Sequence, residues 1–124
     1  MPATPPRPPD ALLQEMLESA HAVRGYVAGL SFEQFWDDYK TRDAVAMRLI
    51  VLGEAARHID ASTAAKLPAI PFPDIRATRN RIAHDYSRVN FKVVWEISQK
   101  DIAPLIVALE AYFTKKPPVS PSAG

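Results

Sequence analysis

TRDAVAMRLIVLGEAARHID, residues 41 to 60, decides the fold. Its apolar residues Ala44, Val45, Leu49, Leu52, Ala56 and Ile59 recur at steps of three and four after the first pair, which is the period of a helix and not of a strand. Ile50, Val51 and Ala55 widen the stripe beyond what one neighbour covers. The expectation is a long helix serving two interfaces, one inside the chain and one between subunits.

Toward the N-terminus, Ser31 with Gln34 three residues on forms a capping box that opens a short helix through Phe32, Phe35, Trp36 and Tyr39. Before it, Leu13, Met16, Leu17, Ala20, Val23, Val27 and Leu30 keep helical spacing from an N-cap at Asp10 to a stop near Gly29. Toward the C-terminus, Pro68, Pro71 and Pro73 exclude a helix interior, and Pro73 suits the first position of a new helix whose opening turn holds Asp74. That helix runs toward His84, and Asp85 to Asn90 reads as a connection. Asn90 caps a last helix carrying Val94, Trp95, Ile102, Leu105, Ile106, Leu109 and Phe113, with a kink or restart near Asp101 enforced by Pro104. No segment alternates and no repeat is visible, so the expected fold is an all-α bundle of four to five helices.

The 124 residues are 48% hydrophobic and 23% charged, a soluble globular composition of one-domain length. Eight of the twelve prolines crowd the two ends, so residues 1–9 and 117–124 read as disordered tails around a helical domain at 10–116. A domain this small buries a marginal core, which favours a partner subunit. Fifteen Lys and Arg against fourteen Asp and Glu leave no global field for long duplex nucleic acid or an anionic membrane. The absence of cysteine excludes disulfides, thiolate metal sites and a cysteine nucleophile. No apolar run reaches spanning length and the N-terminus lacks the order of a signal peptide, so the expected location is cytoplasmic.

Chemistry concentrates in Arg76, Arg79, Asn80, Arg81, His84, Asp85, Tyr86 and Arg88, a local positive patch in a nearly neutral chain. Arginine offers a permanently charged fork for phosphate oxygens, histidine exchanges protons near neutrality, and asparagine orients either. The set suits metal-free phosphodiester cleavage, and no carboxylate or histidine cluster has metal-ligand spacing. Geometry imposes a condition. At about 100° per residue Arg76, Asn80 and His84 share a face, whereas Arg79 lies roughly 140° from His84. Either the helix ends before His84 and the chain turns it back, or two copies complete each other across a dimer; the second is preferred. The plain alternative is a solvated arginine face with His84 compensating a helix C-terminus.

The segment Arg79-Asn80-Arg81-Ile82-Ala83-His84-Asp85-Tyr86 resembles the signature of HEPN domains, in which an Arg followed by a polar residue precedes a His by four to six positions. Tyr86 two after the His, Leu52-Gly53-Glu54-Ala55-Ala56, Ile70-Pro71-Phe72 and Val94-Trp95 look specifically like the HepT-like toxins of HEPN/MNT toxin-antitoxin pairs. The likeness covers Leu12 to Tyr112, departing at Phe72, where the family often has Trp, and Thr78, where it often has an apolar residue. It implies a dimeric HEPN-type bundle and a metal-independent endoribonuclease without cofactor. Arg79 would bind the scissile phosphate, Asn80 orient it and His84 transfer protons; the local positive patch supplies Arg76, Arg81 and Arg88 for flanking RNA phosphates. Attack by the 2'-OH would leave a 2',3'-cyclic phosphate, and DNA would be inert. The resemblance also implies that Tyr86 is adenylylated by a partner nucleotidyltransferase antitoxin.

The alternative is a catalytically silent HEPN module that holds a nucleotidyltransferase; retention of Arg79, Asn80 and His84 argues for the enzyme. A helical DNA-binding regulator is weaker, for want of a basic recognition helix. Gly53 in a helix interior suggests close helix approach, and Glu54 pairs either with a cleft arginine or at the surface. Trp36 and Trp95 read as core anchors, and His21 and His58 as structural or exposed.

Overall fold

The computed structural model describes residues 7–84 and 86–115, the side chain of Tyr86 excepted. Of the expected tails, residues 1–6 and 117–124 lie outside the described residues, as does Asp85. The described chain forms α1 (Pro9–Val27), α2 (Phe32–Asp37), α3 (Tyr39–Arg57), α4 (Ala61–Ala65), α5 (Phe72–His84), a 3-10 turn (Tyr86–Arg88), α6 (Phe91–Lys100) and α7 (Ile102–Lys115), with no strand among the described residues. The expected all-α bundle is what forms. α2 and α4 are only six and five residues long, so the remaining five helices form the body of the bundle, to whose core α2 adds Phe35.

Local signals place most boundaries. The capping box at Ser31 is complete: its hydroxyl accepts from Gln34 N at 3.1 Å and Gln34 Oε1 accepts from Ser31 N at 2.9 Å. Gly29 ends the preceding segment in the left-handed region, φ 76°. Asn90 Oδ1 accepts from Lys92 N at 3.1 Å and Val93 N at 3.3 Å, opening α6. The restart near Asp101 also occurs. Pro104 is the third residue of α7, where the missing N–H removes no intrahelical bond.

Three boundaries differ from expectation. α1 starts at Pro9, with Pro8 as N-cap, so the helix takes one residue from the expected tail. Asp10 is therefore inside the first turn, where its carboxylate accepts from the Tyr112 hydroxyl at 2.5 Å. α3 occupies 39 to 57 rather than 41 to 60, because Asp38 caps it through Thr41 N at 3.1 Å and Asp60 is the cap of a separate helix, accepting from Thr63 N at 2.6 Å. α4 was hidden by reading Asp60 as an end rather than a beginning.

α3 lies at the centre, against α1 on one side and α5 on the other, with α2 and α6 at its margins, while α7 closes on α1 and α6. Val45, Ala46, Leu49, Leu52, Ala55 and Ala56 are buried between them. Of the residues that widen the apolar stripe, Ala55 is buried, while Ile50 and Val51 are half-buried. Trp36 is not the expected core anchor: it is 46% exposed, because the buried face of α2 is taken by Phe35. Trp95 is half-buried and packs on Phe35 at 5.1 Å between ring centroids. Among the described residues no helix is long and apolar enough to cross a membrane.

Candidate functional site

α5 presents the polar cluster, held on the bundle by buried Phe72 and Ile82 and half-buried Ile75. Its principal neighbour is α3. The two helices touch at Gly53, which is buried: a Cβ built there would stand 2.1 Å from Arg79 Cβ and 3.3 Å from the carbonyl oxygen of Ile75. Only a residue without a side chain permits this approach, so the close contact expected at Gly53 is present.

That contact sets Arg79 beside the next residue of α3. Arg79 Nη2 lies 3.0 Å from Glu54 Oε2, and Arg79 Nη1 donates to Asn80 Oδ1 at 3.1 Å. The contact with Glu54 is an ion pair rather than a well-directed hydrogen bond, since neither Glu54 Oε2 nor Arg79 Nε, both buried, has a hydrogen-bond partner. The other carboxylate oxygen accepts from Arg57 Nη2 at 2.7 Å and lies 3.2 Å from His58 Nε2. Arg57 is the main cause holding the Glu54 carboxyl below the usual range, with His58 and Arg79 adding to it against partial burial. The carboxylate stays charged and holds the guanidinium end of the Arg79 side chain, which is 29% exposed. Glu54 is thus tied to the cleft arginine and to surface Arg57 at once.

α5 continues through His84, so the chain does not fold His84 back by ending the helix early. Arg79, Asn80, Arg81, Ala83 and His84 line one open depression at this end of α5. Asn80, Arg81, His84 and Arg88 are exposed and Arg76 is half-buried. A different groove, lined by Thr78, Arg81, Ile82, Arg88, Val89 and Asn90 among others, brings Arg81 and Arg88 together across the connection to α6. Thr78, one departure from the family pattern, turns its hydroxyl back to Asp74 O at 2.9 Å and is satisfied within the helix. Tyr86 opens a 3-10 turn beyond the end of α5, so helical register stops at His84; its side chain lies outside the described residues. Among the described residues no group of three or more His, Asp and Glu side chains is arranged to hold a metal ion.

Sequence reading gave Arg57 no part and took His58 only as structural or exposed; both meet Glu54, and the His58 side chain is exposed. The signal was their offset of three and four from Glu54, which on a helix makes neighbours.

The arrangement is a cationic helix end with an anchored guanidinium, an amide and an imidazole, chemistry suited to a phosphodiester. The chain is similar to a protein of Caldanaerobacter subterraneus subsp. tengcongensis named as a candidate RNase, 30% identical over 100 residues that cover 81% of this chain and 87% of that one. It is also similar to "Probable ribonuclease HepT" of Thermococcus cleftensis, 29% identical over 93 residues, 75% of this chain and 84% of that protein. A further relative from Methanocaldococcus jannaschii, again named as a candidate RNase, is 29% identical over 87 residues, 70% and 72% of the two chains. No solved structure matches the chain at a significant level. The ribonuclease HepT-like family model matches residues 16–112, which span α1 to α7 and the whole polar cluster, and the chain belongs to that family.

Proposed function

We propose that this protein is a metal-independent endoribonuclease, the toxin of a toxin-antitoxin pair. The observation that carries the reading is the Glu54-anchored guanidinium of Arg79 beside Asn80, on a helix end whose open depression also takes in His84. A fixed arginine presents its remaining N–H groups to a phosphate with little rotamer entropy left to lose. Arg79 binds the scissile phosphate and stabilises the charge of the pentacoordinate state, and Asn80 orients it. His84 transfers the proton. The ribose 2'-oxygen attacks phosphorus as its proton leaves, the bond to the 5'-oxygen breaks and that oxygen is protonated, giving a 2',3'-cyclic phosphate and a 5'-hydroxyl. Arg76, Arg81 and Arg88 hold flanking phosphates.

The active form is a dimer in which the depressions of two copies meet, so that Arg79 of one copy and His84 of the other face one substrate. Supporting this is the ground beside α5: half-buried Ile75, Thr78 and Ile97, with exposed Asp74 and Asp101, border a cavity of about 330 Å³ floored by buried Leu49, Ile102 and Leu105, and Thr78 and Ile97 continue it into the groove with Arg81 and Arg88. Control is exerted by a partner nucleotidyltransferase that transfers AMP from ATP to the Tyr86 hydroxyl, releasing pyrophosphate. The added phosphate occupies the arginines and the adenosine fills the cleft. Incubation of a single-stranded RNA with the purified protein in EDTA tests the activity; cyclic phosphate ends are expected from the wild type and none from Arg79→Ala or His84→Ala.

A further inference from the structure

The corner between α2 and α3 exposes more aromatic surface than a solvated corner needs. Trp36 is 46% exposed and Tyr39 69%, on two helices whose starts are capped by Ser31 and Asp38. Between them sits Arg42, its guanidinium carbon 5.2 Å from the Trp36 ring centroid, 4.9 Å from that of Tyr39 and 4.0 Å from that of Phe91. Arg42 Nη1 donates to the Trp36 carbonyl at 3.0 Å, which locks the cation among the three rings. Beneath, Phe32 meets Trp36 at 5.7 Å and Trp95 at 6.1 Å, so the platform rests on the core. Two exposed flat rings that share one cation offer faces on which another flat ring system stacks.

We propose that Trp36, Tyr39 and Arg42 form a stacking subsite for unpaired bases of single-stranded RNA, within a short strand's reach of the phosphate site on α5; this rests on the RNA-cleaving reading above. Position favours it. Phe91, which carries the Arg42 guanidinium, opens α6 only seven residues after His84, a separation that the chain limits to about 25 Å. A few nucleotides of extended single strand cover that span. Charge narrows the occupant further. Exposed Asp37, Asp38 and Asp43 outnumber Lys40 and Arg42 across this corner and disfavour a phosphate backbone, so the platform takes the uncharged face of a base while the backbone stays with Arg79, Arg81 and Arg88. Every base has such a face, so the subsite is tolerant of sequence; it excludes duplex, whose bases are already stacked.

The test uses a short unstructured RNA with 2'-O-methyl riboses, which has no hydroxyl to attack, and reads binding to the full-length protein by fluorescence anisotropy. Trp36→Ala and Tyr39→Ala should each weaken binding about tenfold, Trp36→Phe should retain most of it, and the matching duplex should not distinguish the variants. On cleavable strands the defect should appear in KM and shrink as the strand is shortened toward a dinucleotide. Folded variants that bind the single strand within about twofold of wild type overturn the subsite, as does an equal loss on duplex, or a loss confined to a protein partner. Wild-type protein that binds this strand through the platform but cuts no RNA leaves the subsite standing and overturns the cleavage reading; wild type that neither binds nor cuts overturns both.

Discussion

The backbone of Gly53 on α3 passes so close to Arg79 on α5 that a methyl group at position 53 would lie 2.1 Å from Arg79 Cβ and 2.7 Å from its Cγ. The obstructing Cβ is fixed to the α5 backbone, so Gly53→Ala forces the helices apart. Alanine in a helix interior gains about 1 kcal/mol over glycine, but overpacking costs about 1–3 kcal/mol. The expected result is a net loss of about 1 kcal/mol in urea unfolding, with RNA cleavage reduced more than tenfold by the displacement of Arg79. A variant that is more stable than wild type and fully active contradicts the role given to this crossing.

Glu54 is expected to act through Arg79 without touching substrate. Glu54→Gln keeps the shape and removes the charge, so it should lower kcat/KM about tenfold, equivalent to about 1.4 kcal/mol of transition-state stabilisation. Stability should change by less than about 1 kcal/mol, because the ion pairs of Glu54 are partly exposed. The pH dependence follows from the depressed carboxyl. Its stabilising contribution is complete above the unfolded carboxylate value of about 4.3 and is lost as pH falls through the lower folded value. Unfolding curves between neutral and acid pH should show a smaller acid loss for Glu54→Gln than for wild type.

Tyr86→Phe separates the switch from the ring, since it removes only the acceptor oxygen. With the partner nucleotidyltransferase, ATP and Mg²⁺, wild-type chain should gain mass in multiples of an AMP unit and lose its RNase activity. The phenylalanine variant should gain none and stay active. Modification of the variant, read by intact mass, removes Tyr86 from the account.

The groove beside α5 predicts the oligomer. Ile97 is half-buried and borders both the cavity under α5 and the groove with Arg81 and Arg88, so Ile97→Lys should convert a dimer to a monomer by light scattering and abolish cleavage while circular dichroism stays helical. Wild type that is monomeric at micromolar concentration and cleaves at a rate per chain independent of dilution rules out a shared site.

Helix-forming periodicity and caps were legible in the sequence because they are local. Ser31 and Gln34, Asn90, Pro104 and the apolar steps of α3 each act within a few residues of themselves, and the structure follows them. The reading failed where one residue type serves two geometries. Asp60 suits the close of a polar helix end and the opening of a new helix alike, and α4 was lost for that reason. Trp36 keeps helical spacing with Phe32, yet the short α2 has room to bury only Phe35. In the site, Gly53 announced a close approach but not its partner. Pairing Glu54 with Arg79 depends on how α3 crosses α5, which periodicity along either helix leaves open.

The central claim is that Arg79 of one copy and His84 of another act on one phosphate, and mixing two inactive variants tests it most directly. Arg79→Ala and His84→Ala should each be silent toward RNA in EDTA. In a mixed dimer one site then carries both defects and the other carries neither. After subunit exchange an equimolar mixture should regain about a quarter of the wild-type activity. Activity that stays at zero after exchange is verified, beside an active wild type, contradicts the shared site.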